Sequence, residues 1–147
     1  MRDDAHDAAM AAMDRAEELA REQLLEAARE TYEEAAQFEQ RSADAAPVDR
    51  PRTRGVLRVS AVSLWMRARR YEDAARLARR YLQEPLAAGY ARELHELLNE
   101  IEARRAALGA LPRVPDQQGG ELLRRLKERE TQIVSGIVPL VRLTNAA

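Results

Sequence analysis

Two histidines, no cysteine and a scatter of serines limit the chemistry open to this 147-residue chain. A metal site needs imidazoles, thiolates or carboxylates at ligand spacing, and neither His6 nor His95 stands in a His-Glu-x-x-His arrangement. Asp3-x-x-His6 occupies a terminal turn, while Glu93, His95 and Glu96 point in different directions around one helix. A di-iron bundle would need Glu-x-x-His pairs on two helices, and the sequence has none. Ser60, Ser63 and Ser135 have no base near them in sequence. Gly119-Gly120 ahead of Glu121 lacks the glycine spacing, lysine and hydroxyl of a phosphate-cradling loop. These residues predict a protein that is not an enzyme and uses neither cofactor nor metal.

Binding chemistry has more material. Arg50, Arg52, Arg54 and Arg58 cluster on what reads as a loop entering a helix. Their guanidinium forks could grip carboxylates or phosphates of a partner, although a solubilising loop or a clamp onto the acidic first helix within the chain is the first reading. A second candidate is the tail of residues 133–143, where Ile133, Val134, Ile137, Val138, Leu140, Val141 and Leu143 form a β-branched, apolar stretch broken at Ser135-Gly136 and Pro139. Left bare, such a stretch is sticky. It is expected to be covered by its own repeats, by a second copy, or by another protein to which it adds an extended strand.

Charge is segregated along the chain although the formal net charge is only −1. Residues 1–46 hold 13 acids against 5 arginines, a balance of −8, and residues 47–81 hold 10 arginines against 3 acids, a balance of +7. Neighbouring segments of opposite sign attract, within one chain or across a dimer. The basic block carries one Trp and no glycine-aromatic RNA signature, so nucleic-acid binding through these arginines is the alternative reading rather than the first. The cysteine-free composition and the acidic start, with no apolar run behind it, suggest a cytoplasmic protein and no membrane span. Among 24 basic residues only Lys127 is a lysine, and alanine is abundant, as in proteins of GC-rich bacteria.

The elements that would position these groups read as helices. Met10, Met13, Ala16, Leu19, Ala20, Leu24 and Ala27 recur at three- and four-residue steps, which predicts a first helix over residues 3–29. Thr31 followed by Glu34 matches a capping box, so a turn is placed at 29–31 and a second helix over 32–41; one continuous helix through Arg41 is the alternative. Pro47 and Pro51 predict a solvated loop over 47–55. A third helix over 56–68 carries Leu57, Ala61, Leu64, Trp65 and Ala68, the strongest core stripe in the chain. Arg69-Arg70 turns into a fourth helix over 71–83, which buries Tyr71, Ala74, Ala75, Ala78 and Leu82 and is stopped by Pro85. A fifth helix ends near Leu108, before Gly109 and Pro112. Residues 113–120 form a linker, 121–132 a short charged helix, and the apolar tail follows. The domain organisation is therefore a helical domain over 1–112, the linker, and a C-terminal part over 121–147.

An internal repeat organises the first part. Tyr32-Glu33-Glu34-Ala35-Ala36 with Phe38 reappears as Tyr71-Glu72-Asp73-Ala74-Ala75 with Leu77, each followed by a proline, Pro47 or Pro85. An aromatic that opens the second helix of an antiparallel pair wedges against the end of the first, and alanines one turn later let the helices approach. With Trp65 in the first helix, Tyr71 and Ala74 in the second and Pro85 at its end, residues 56–85 resemble a tetratricopeptide repeat; residues 16–47 match at Tyr32, Ala35, Phe38 and Pro47. The usual turn glycine is replaced by Arg69 and by Glu30, the small first-helix position holds Val62 or Gln23, and the tyrosines lie further apart than that family's repeat of about 34 residues. The resemblance implies an all-α fold of stacked antiparallel hairpins with Tyr32, Phe38, Leu64, Trp65, Tyr71 and Ala74 in its core. It implies a non-enzymatic scaffold or adaptor that binds another protein or a second copy of itself, and no small-molecule substrate.

Overall fold

A computed structural model describes residues 3–110 and residue 124. The chain divides into two units, Met1–Ala110 and Leu111–Ala147. The predicted linker, sixth helix and apolar tail, with Ile133, Val134, Ile137, Val138, Leu140, Val141 and Leu143, lie outside the described residues.

Among the described residues the first unit is all-helical, with five helices and no strand: α1 Asp4–Arg21, α2 Leu25–Ala45, α3 Pro51–Arg67, α4 Tyr71–Leu82 and α5 Ala88–Gly109. Asp3 caps α1, its Oδ1 accepting from the Ala5 and His6 amides at 3.2 and 3.3 Å. α1 stops at Glu22–Leu24 rather than at residues 29–31. There the Leu24 N–H donates to the Leu19 carbonyl at 2.9 Å, the Gln23 N–H to Ala20 at 3.1 Å, and Gln23 takes the left-handed conformation at φ 65°. This pair of bonds satisfies carbonyls that the helix end would otherwise orphan. The expected capping hydroxyl is spent inside α2, where Thr31 Oγ1 donates to the Ala27 carbonyl at 2.8 Å.

The predicted loop over 47–55 is also corrected. Pro51 is the first residue of α3, a position whose amide would be unpaired in any case and whose fixed φ suits a helix. Arg52, Arg54 and Gly55 are therefore helical, and only Ala46–Arg50 connects α2 to α3. α3 ends on the same turn as α1: the Arg70 N–H donates to Trp65 at 3.1 Å, the Arg69 N–H to Met66 at 2.9 Å, and Arg69 has φ 57°. The two turns align Gln23 with Arg69, so the structural repeat is out of register with the sequence repeat. Tyr71 opens α4, whereas Tyr32 lies about two turns inside α2.

α3 is the central helix and packs against α2, α4 and α5. Its close approach to α5 uses Gly55, where an added Cβ would meet the Tyr90 ring at 2.3 Å. The larger apolar cluster holds Leu57, Ala61, Val62, Leu77, Ala78, Tyr81, Leu94 and Ile101, with Trp65 and Tyr71 half-buried against it. A smaller cluster joins Ala12, Ala35, Ala36 and Leu64, with Tyr32 and Trp65 at its edge. Leu64 and Ala74 are buried as expected; Tyr32, Phe38, Trp65 and Tyr71 are only half-buried, and Trp65 Nε1 donates to Gln40 Oε1 at 2.9 Å. On α1 the buried residues are Ala9, Ala12 and Ala16, of which only Ala16 belongs to the predicted stripe; Met10 and Met13 are half-exposed. Alanine against alanine lets α1 and α2 lie close together.

The charge segregation resolves within one chain. Arg67 reaches Glu17 at 3.4 Å, Arg70 reaches Glu33 at 3.2 Å and Arg80 reaches Asp44 at 2.6 Å, each pair joining the acidic first hairpin to the basic α3–α4 segment. Such exposed pairs contribute at most about 1 kcal/mol each, so they fix register more than they stabilise.

Candidate binding cleft at the α2–α3 corner

The four arginines singled out in the sequence separate into two kinds. Arg58 is 2 % exposed. Its Nη1 donates to the Ala43 carbonyl at 3.0 Å, which helps satisfy the C-terminal end of α2, and its guanidinium lies 4.8 Å over the Tyr81 ring. Arg58 Nε lies 2.6 Å from Glu84 Oε2, a contact of opposite charges without hydrogen-bond alignment. Arg54 shares the same oxygen, its Nη2 donating to it at 3.2 Å. Both side chains have partners inside the fold, and the clamp expected of them closes on the α4–α5 connection instead of on the first helix. Arg50 and Arg52 are exposed at the start of α3 and remain available.

Tyr81, which periodicity should have placed in the core seven residues after Ala74, completes this corner. Its hydroxyl donates to Asp44 Oδ1 at 2.8 Å, and Arg80 holds the same oxygen. Burial, and then the Asp44 carboxylate beside it, push the Tyr81 hydroxyl well above its ordinary value. The phenol stays neutral and acts as a fixed donor between α4 and α2.

A second polar group fastens the start of α1 to the end of α2. Ser42, 2 % exposed, donates to Asp3 Oδ2 at 2.5 Å, and His6 Nδ1 lies 2.8 Å from Oε2 of the fully buried Glu39. The Ser42 hydroxyl holds the Asp3 carboxyl below its ordinary range, with the His6 and Ala5 amides adding to it. Sequence reading left Asp3-x-x-His6 as a terminal turn. The signal that could have found the match is that Glu39-x-x-Ser42 repeats the same spacing on the antiparallel helix. Ser42 bonds Asp3 and His6 faces Glu39, so hydroxyl and imidazole belong to separate pairs and do not form a nucleophile with its base. Among the described residues no three His, Cys, Asp or Glu side chains are placed to hold a metal ion.

Beside the Asp3–Ser42 pair lies a cleft of about 710 Å³. It is lined by the apolar Ala45, Ala46, Pro47 and Leu57 and by the polar Asp3, Ser42, Asp49, Arg50 and Thr53. Its volume falls in the range of about 300–1,000 Å³ typical of ligand-binding clefts, and five of its nine lining residues are polar. No family model, no curated protein and no solved structure matches the chain. His95 is exposed on α5 at a distance from the cleft residues in sequence, and no helix among the described residues is long and apolar enough to cross a membrane.

Proposed function

We propose that this chain is a non-enzymatic binding module, a scaffold or adaptor of tetratricopeptide-like hairpins that takes a segment of a partner protein in the α2–α3 cleft. The observation that supports this reading is that one cleft is lined both by the apolar Ala45, Ala46, Pro47 and Leu57 and by the exposed Arg50, whose side chain makes no ion pair among the described residues. An apolar side chain beside a carboxylate on the partner would fit both. What supports the repeat-like reading is the α3–α4 hairpin, in which Tyr71 opens α4, Ala74 is buried, and Trp65 and Tyr71 pack half-buried against the same cluster. The apolar residues of the C-terminal tail supply a second surface, for a partner or another copy, and the cysteine-free composition suits a cytoplasmic protein. The nucleic-acid alternative is weakened because Arg54 and Arg58 are consumed by Glu84, which leaves two of its four arginines at the surface.

The experiment is retention of partners by the full chain beside the variants Arg50→Glu and Ala45→Trp and beside a chain ending at Gly120. Ala45 is exposed and lines the cleft, so a bulky side chain fills it without touching the core. A protein retained by the full chain and released by both substitutions, with unfolding midpoints unchanged, supports the cleft. Retention by both variants removes it, and loss only on truncation moves the function to the tail.

A further inference from the structure

We propose that α1 can be exchanged between two copies of the chain, the α1–α2 turn straightening so that residues 4–45 form one continuous helix and each α1 docks on the partner's α2. This goes beyond the binding reading above and does not depend on the cleft. The first support is the turn itself. Arg21-Glu22-Gln23-Leu24-Leu25-Glu26 consists of good helix formers with no glycine or proline, yet Gln23 is held at φ 65°, a region that disfavours a residue with a Cβ. The hairpin is closed against the preference of the residues that close it.

The second support is what surrounds α1. Its backbone contacts α2 alone among the described helices; beyond α2, Ala12 and Met13 share an apolar cluster with Leu64 and Trp65 of α3, and Glu17 reaches Arg67. An exchanged α1 occupies the same place on the other copy and remakes all of these, together with Asp3–Ser42 and His6–Glu39. α3 ends on an equally glycine-free turn at Arg69, but it is wedged among α2, α4 and α5 and cannot leave without breaking the core. The third support is Leu24 and Leu25, 50 % and 58 % exposed at the tip of the hairpin. In a continuous helix the i, i+4 steps from Ala16 through Ala20 and Leu24 to Ala28 turn by about 120°, which places Leu24 between the alanine face of α1 and that of α2. Two such helices crossing about a twofold axis would bring the leucines of both copies together, and the only new contact is the one that covers them.

The test is the mass of the full chain across a concentration series, with intrachain distances measured between spin labels on Ala11→Cys and Gln37→Cys. Both positions are exposed and the chain has no other cysteine. Doubly labelled chains diluted into unlabelled ones should show a short distance in the monomer and about 40 Å in the dimer, from the helical rise between the labels. Gln23→Gly, which favours the left-handed turn and disfavours the straight helix, should raise the dimer dissociation constant at least about tenfold. A chain that stays monomeric at millimolar concentration overturns the proposal. So does a dimer that keeps the short distance, or one indifferent to Gln23→Gly.

Discussion

Arg58 Nε and Glu84 Oε2 lie 2.6 Å apart where four segments converge: the end of α2 at Ala43, α3 itself, Tyr81 of α4, and the connection into α5. A single guanidinium therefore reads the position of every helix around the corner. Its planar fork can meet a carbonyl, a carboxylate and an aromatic face at once, which an ammonium cannot.

Replacing Arg58 by Ala is expected to cost about 3 kcal/mol, near the lower end of the range for breaking a buried pair, because Glu84 is 29 % exposed and can regain some water. Arg58→Lys should recover less than half of that. Denaturant unfolding measures both, and a loss below about 0.5 kcal/mol for Arg58→Ala would show that the corner is held by its apolar contacts alone.

Arg69→Gly is expected to stabilise the chain by about 0.5–1 kcal/mol. The left-handed φ of 57° costs a residue with a Cβ about 1–2 kcal/mol, and the greater freedom of glycine in the unfolded chain offsets part of that gain. The thermal midpoint should rise by a few degrees. A fall would mean that the Arg69 side chain makes a contact worth more than the strain it brings.

Gly55→Ala tests the α3–α5 approach. The added methyl would meet the Tyr90 ring at 2.3 Å, so the ring must leave its place; the overpacking cost of about 1–3 kcal/mol exceeds the gain of about 1 kcal/mol from alanine in a helix. Combining it with Tyr90→Leu should cost less than the sum of the two single changes. Additive losses would show that the glycine and the tyrosine do not touch.

The legible parts of this fold were those set by local chemistry. The α3–α4 turn at Arg69-Arg70, the stop at Pro85 and the end near Gly109 all follow from residues next to one another in sequence. The α1–α2 turn escaped because nothing local marks it: it closes on backbone bonds at Glu22–Leu24 with Gln23 in place of a glycine, and Thr31 offered a false cap. Pro51 misled in the other direction, since a proline that breaks a helix interior also serves as a helix's first residue. The arginine group was visible as a group, but its division was not. Whether Arg58 faces water or Glu84 depends on where α4 ends and how its connection returns over α3, which no periodicity in α3 records.

Acid should loosen the start of α1 before the rest of the chain. Asp3 accepts from Ser42 and from two amides, and these donors hold its carboxyl below the ordinary value of 3.8. A carboxyl lowered in the folded state contributes its stabilisation in full above the unfolded value and loses it as pH falls through the folded one. The loss should therefore begin only below about pH 4. Asp3 is exposed, so the effect on global unfolding should be small; the readout is hydrogen exchange of the amides in the first turn of α1. Asp3→Asn keeps a capping side chain without a titrating one and should flatten the pH dependence. Ser42→Ala should shrink the acid effect and make it level off at a higher pH, since the largest donor to the carboxylate is gone and the folded value moves back toward the unfolded one. If Asp3→Asn retains the acid-dependent exchange of the parent chain, the fastening of α1 does not pass through this carboxylate.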